Sequence, residues 1–174
     1  NFDLYKKLMK HELVHTYQLK KLANGNFAAT DTWFTEGLAE YIASGKSSKT
    51  KAEIMALVST QNPVAVTTSG FGTGNLPYYP AFQSSVAYLF DANGAKNNLS
   101  QLPAFLALVD SKTAAIYTAC SNVYSCTINA ASDGFAQAFE ATFKEADGIT
   151  PMRLRAGTNN FQSTITTRLS GFLN

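Results

Sequence analysis

The chain has 174 residues, with 14 Lys and Arg against 12 Asp and Glu, for a net charge of +2. Only 15% of residues are charged and 45% are hydrophobic, which excludes a disordered chain and fits one globular domain spanning residues 1–174. No basic stripe supports nucleic-acid binding, and the apolar runs are too short and too interrupted for a membrane span.

In chain order, residues 2–22 read as a helix. Leu4, Tyr5, Leu8, Met9, Leu13, Val14 and Tyr17 recur at spacings of three and four, so a buried apolar face is expected there. Asn24-Gly25 stops it, and a loop leads to Asp31 or Thr32, either of which can cap a helix from Trp33 to about Ser44, closed by Gly45. A third helix is expected over Lys49–Ser59. Residues 60–78 lose periodicity at Pro63, Gly70, Gly72, Gly74 and Pro77, and the glycine run reads as a rim loop rather than a phosphate loop. A fourth helix starts near Pro80 and ends at Asn93-Gly94. Residues 102–110 form a fifth, 113–128 a short hairpin around Cys120 and Cys126, Phe135–Lys144 another helix, and the 160s a last one. The expected fold is mainly α.

Within the first helix stands His11-Glu12-Leu13-Val14-His15, an H-E-x-x-H pattern that holds both histidines of the chain. Helical spacing puts the two imidazoles on one face, where they can share a tetrahedral metal ion, while Glu12 points away from the ligand pair and can hold a water. Zinc wants a third protein ligand. Glu36 follows His15 after a loop and a return, and Glu40, one turn on, can accept the other ring N–H of a liganding histidine. Gly37 and Ala39 are small enough to let the two helices approach closely. The five-residue spacer between Cys120 and Cys126 can close a small disulfide loop, which argues for an oxidising, secreted or extracytoplasmic setting.

These residues resemble the gluzincin zinc metallopeptidases, whose H-E-x-x-H helix is followed by a W-x-x-E-G-x-A-E helix, here Trp33 to Glu40. Within that clan the chain is most similar to the peptidase domain of bacterial collagenase-type enzymes. The match is strong over His11–Tyr41 and weaker over Lys51–Val58, Tyr78–Phe90 and Asp133–Phe139. The resemblance implies a helical zincin-like catalytic subdomain, Zn2+ on His11, His15 and Glu36, Glu12 as general base, and Glu40 as orienting carboxylate. It also implies a tyrosine donor for the oxyanion, for which Tyr79 is the candidate and Tyr78 the next. A β-sheet subdomain that aligns extended substrate normally precedes the H-E-x-x-H helix. This chain begins ten residues before His11, so an upstream segment or a second chain is expected to complete the cleft for a protein or peptide substrate. The alternative function is a zinc-containing binding or adhesion domain that keeps the site without turnover.

Overall fold

The computed structural model describes residues 2–22, 29–67, 73–120 and 134–173. They are mainly helical, and no β-strand occurs among them; Lys144 and Pro151 form a single antiparallel bridge. The helices are α1 (Phe2–Lys21), α2 (Thr32–Ser44), α3 (Lys51–Thr60), α4 (Tyr79–Phe90), α5 (Leu102–Ala119), α6 (residues 134–142) and α7 (Phe161–Phe172). Short 3-10 turns fill Pro63–Ala65, Thr73–Tyr78 and Leu99–Gln101. No helix among the described residues is long and apolar enough to cross a membrane.

Local chemistry sets the boundaries. Thr50 caps α3 through a reciprocal pair of bonds with Glu53, which satisfies two of the donors a helix start leaves open. Asn160 caps α7 by accepting from the Ser163 amide at 2.8 Å. α4 opens with Pro80 in its first turn, where a missing N–H costs nothing. Asp31 takes the N-cap position of α2, but its side chain makes no cap bond. It turns inward instead, accepts from Trp33 Nε1 at 3.1 Å and pairs with Arg155. Burial is the larger influence on this carboxyl and raises its pKa to about 6 despite the guanidinium.

α2 is the central helix. Trp33 to Ala39 are all buried, and a helix covered on every side must be surrounded by other elements. On one side Trp33 and Phe34 meet Phe105, Phe135, Phe139, Phe143 and Phe161. These rings sit mostly edge-on or tilted, with centroids as close as 4.7 Å. Each such buried side chain contributes roughly 1.5–3 kcal/mol of transfer free energy. On another side α4 crosses at Gly37, where an added Cβ would lie 2.5 Å from the Phe82 carbonyl oxygen and 2.9 Å from Val86 Cγ2. The close approach Gly37 permits is therefore to α4, rather than to α1 as its place beside Glu36 suggests.

Two expectations need correction. The expected hairpin over 113–128 is replaced, through its described part, by helix: α5 continues nine residues past 110 to Ala119. No Gly or Pro interrupts that stretch, and Ala114 and Ala115 favour helix, so Ile116 and Tyr117 follow the backbone they inherit. Thr113 also packs against the start of α6 at Gly134. Cys120 follows as the C-cap and is not a free thiol; Cys126 and the remainder of the expected hairpin lie outside the described residues. The second correction concerns α1. Its buried positions are His11, Val14 and Gln18, while Leu4, Tyr5, Leu8, Met9 and Leu13 are exposed. The expected face is covered only in part: Val14 is buried and Tyr17 packs against the core, whereas Leu4 and Leu8 share the face of His11 and His15 and line the open cleft beside them, and Leu13 points to a separate hollow with Lys10 and Tyr17.

Candidate metal centre

α1 lies along α2 so that His11 and His15 face Glu36 and Glu40. The two Nε2 atoms are 3.0 Å apart, and Glu36 Oε2 lies 3.4 Å from His11 Nε2 and 3.5 Å from His15 Nε2. The three form the metal-capable cluster found among the described residues. A tetrahedral ion bound at 2.0–2.1 Å needs ligand atoms about 3.3 Å apart, and this triangle has that size.

The outward atoms of both rings are also committed. His11 Nδ1 lies 3.1 Å from Glu40 Oε1, and the other oxygen of that carboxylate takes Lys7 Nζ at 2.7 Å. His15 Nδ1 lies 2.9 Å from Gln18 Oε1. A carboxylate and an amide oxygen accept only, so in the neutral rings each Nδ1 carries the proton. Both Nε2 atoms then present lone pairs to each other and to a carboxylate oxygen. Three acceptors meeting at one point call for a cation.

Glu36 adds a charge argument. It is only 2% exposed, and a carboxylate that deep is costly unless it is compensated. Lys7 is taken by Glu40, so the positive charge for Glu36 comes from protonated imidazole or from a metal. Burial works to raise its pKa, yet the hydrogen bonds of His11, His15 and Tyr79 outweigh burial and hold it at about 2. Glu36, followed by Glu40, holds the His11 imidazole well above its usual range, at about 9. At His15 burial opposes the charge, but Glu36 and Gln18 still raise its pKa. Glu40 is lowered, first by His11 and then by Lys7. Protonated imidazole thus matches the negative charge of Glu36.

The cluster lies in a cleft of about 410 Å³ that Glu12 and Tyr79 also line. Glu12 is exposed. The Tyr79 ring stacks over His11 at 6.3 Å with planes 7° apart, and its hydroxyl bonds Glu36. Burial first, then Glu36, raise its pKa, so it stays a neutral donor. Tyr78 is partly buried against the core and does not line this cleft. Residues 70–72 of the expected rim loop lie outside the described residues, but Leu76, just after them, is on the cleft wall. Gln18 was not anticipated. The available signal was its place at i+7 from His11 and i+3 from His15, on the same helical face.

If the cluster holds zinc, removing Glu36 should cost more metal affinity than removing Glu40, which would only orient His11. Glu36→Ala is expected to abolish tight zinc binding, and Glu40→Ala to weaken it about 10–100-fold, measured by competition with a chromophoric chelator. Equal, mild losses would take Glu36 out of the ligand set.

Compared with family models, curated proteins and solved structures, the chain matches none.

Proposed function

We propose that this chain is a zinc-dependent peptide hydrolase of gluzincin type, with the zincin-like arrangement of an active-site helix packed on a glutamate-bearing helix. The observation that carries the reading is the triangle of His11 Nε2, His15 Nε2 and Glu36 Oε2, whose edges of 3.0, 3.4 and 3.5 Å suit one tetrahedral ion. His11, His15 and Glu36, which line the cleft, would hold zinc. When bound, zinc supplies a Lewis acid that polarises a carbonyl and lowers the pKa of water to about 7. Glu12 takes the proton of the attacking water and passes it to the leaving amine, which is the work of a general base turned general acid. Tyr79, held as a neutral phenol at the cleft wall, is the donor for the oxygen that gains charge.

The open apolar wall of the cleft, where Leu4 is 65% and Leu8 54% exposed beside His11, supports the further reading that another segment or a second chain completes the substrate cleft. We place the protein outside the cytoplasm, with Cys120 and Cys126 as a disulfide. Cys120 being no free thiol supports that pairing, and a mass shift on reduction and alkylation tests it.

The test is digestion of a peptide library by the zinc-loaded protein. Cleavage that stops with chelator and returns with zinc supports the reading; stoichiometric zinc without cleavage would favour the binding-domain alternative.

The proton–metal competition gives a pH signature. His11 is raised from 6.5 to about 9, so the stability its ion pairing contributes is full below about pH 6.5 and is lost as pH rises through 9. His15 is raised as well and acts with the same sign. Asp31 titrates near 6, below this window. Chelated protein should therefore melt at lower temperature at pH 9 than at pH 6.5. Zinc should add more stabilisation at pH 9, where it displaces fewer protons. Calorimetry at both pH values, with and without zinc, checks both signs; a zinc effect that shrinks with rising pH contradicts the site.

A further inference from the structure

We propose that Gln18 is a positioning residue that fixes which nitrogen of His15 faces the metal centre. For its functional consequence this rests on reading the triangle as a zinc site. Gln18 is 1% exposed and bridges two helices. Its Nε2 donates to the Thr35 carbonyl oxygen at 3.2 Å, and its Oε1 lies 2.9 Å from His15 Nδ1. A backbone carbonyl can only accept, so the amide nitrogen must point at Thr35. That orientation turns Oε1 toward His15. An amide oxygen also only accepts, so Nδ1 of the neutral ring carries the proton and Nε2 is left with its lone pair. One backbone carbonyl thus sets the amide, the amide sets the tautomer, and the tautomer frees the ligating atom.

The same bridge sets position. Thr35 directly precedes Glu36, so the Gln18 contact ties the helix that carries His15 to the residue beside the third ligand. Thr35 is itself held, its hydroxyl lying 3.2 Å from the Asp31 carbonyl oxygen and 2.7 Å from the Thr30 hydroxyl. His11 has a charged partner in Glu40 for the same task, whereas His15 relies on a neutral amide. A neutral acceptor orients the ring without adding another negative charge beside Glu36. Outer partners of this kind typically govern metal affinity by about 10–100-fold.

Two variants test it. Gln18→Met keeps the volume and removes both bonds; Gln18→Glu keeps an acceptor at His15 Nδ1 and removes the donor to Thr35. Zinc affinity is measured by chelator competition. The His15 tautomer is read from imidazole nitrogen–proton correlation spectra of the zinc-free protein at a pH where the ring is neutral. The parent should show a protonated Nδ1. Gln18→Met should bind zinc 10–100-fold more weakly and show mixed tautomers, while Gln18→Glu should retain the Nδ1–H form. If Gln18→Met keeps both parental affinity and parental tautomer, the positioning role is overturned. It is likewise overturned if the parent carries the proton on Nε2. If the parent fails to bind zinc yet shows the Nδ1–H tautomer that Gln18→Met loses, the role of Gln18 stands and the zinc reading fails.

Discussion

Glu12→Ala should leave stoichiometric zinc in place and reduce peptide hydrolysis by about 10²–10⁴-fold. Glu12 is exposed in the cleft, and none of the three atoms of the ligand triangle belongs to it. Its removal therefore leaves His11, His15, Glu36 and the orienting bonds from Glu40 and Gln18 as they are. On the proposed mechanism, what is lost is the group that accepts a proton from water and returns it to the amine. Glu12→Gln makes the contrast sharper, because it keeps the size and a hydrogen-bonding oxygen but cannot take the proton. Parallel measurements of bound zinc and of initial cleavage rate separate the roles. Turnover at the parental rate in either variant would mean that Glu12 is not the base. Loss of zinc together with activity would mean that Glu12 helps hold the metal.

Gly37→Ala should destabilise the fold by about 1–3 kcal/mol and weaken zinc binding with it. The new methyl would sit 2.5 Å from the Phe82 carbonyl oxygen. A backbone oxygen cannot rotate away, so α2 and α4 must separate. Both are core elements: Phe82 and Leu38 are each 0% exposed. Glu36 is the neighbouring residue, and its oxygen must stay near 3.4 and 3.5 Å from two imidazoles on α1, so a shift of α2 reaches the site directly. Gly171→Ala is the control. It lies within α7, where an added Cβ meets nothing within 4 Å, and alanine there should stabilise the helix by roughly 0.5–1 kcal/mol. Denaturant unfolding with zinc titration compares the two. A Gly37→Ala protein as stable as the parent would place the α2–α4 crossing wrongly.

The residues that meet in the candidate centre were legible because helical periodicity is rigid. His11 and His15 four apart must share a face, and Glu36 and Glu40 repeat that relation on the next helix. Which face of α1 is covered was not legible. Its apolar residues recur at spacings of three and four, but burial depends on what packs against a helix: α2 covers His11, Val14 and Gln18 and leaves Leu4 and Leu8, on the same side, lining an open cleft. Gln18 escaped for a related reason: a lone glutamine gains meaning only from the carbonyl it meets, and Thr35 is 17 residues away. The length of α5 was missed because Ile116 and Tyr117 suit strands as isolated residues, while the helix already begun at Leu102 decided their state. Gly37 announced a close approach, but only the fold shows that the approaching element is α4.

The most direct measurement is zinc-edge X-ray absorption on the zinc-loaded protein, with the Glu36→Ala variant alongside. The account predicts two imidazole nitrogens and a carboxylate oxygen at about 2.0–2.2 Å, with the imidazole signature weakened or the metal lost in the variant. A sulfur shell at about 2.3 Å, or an unchanged spectrum in Glu36→Ala, would contradict a centre built from His11, His15 and Glu36.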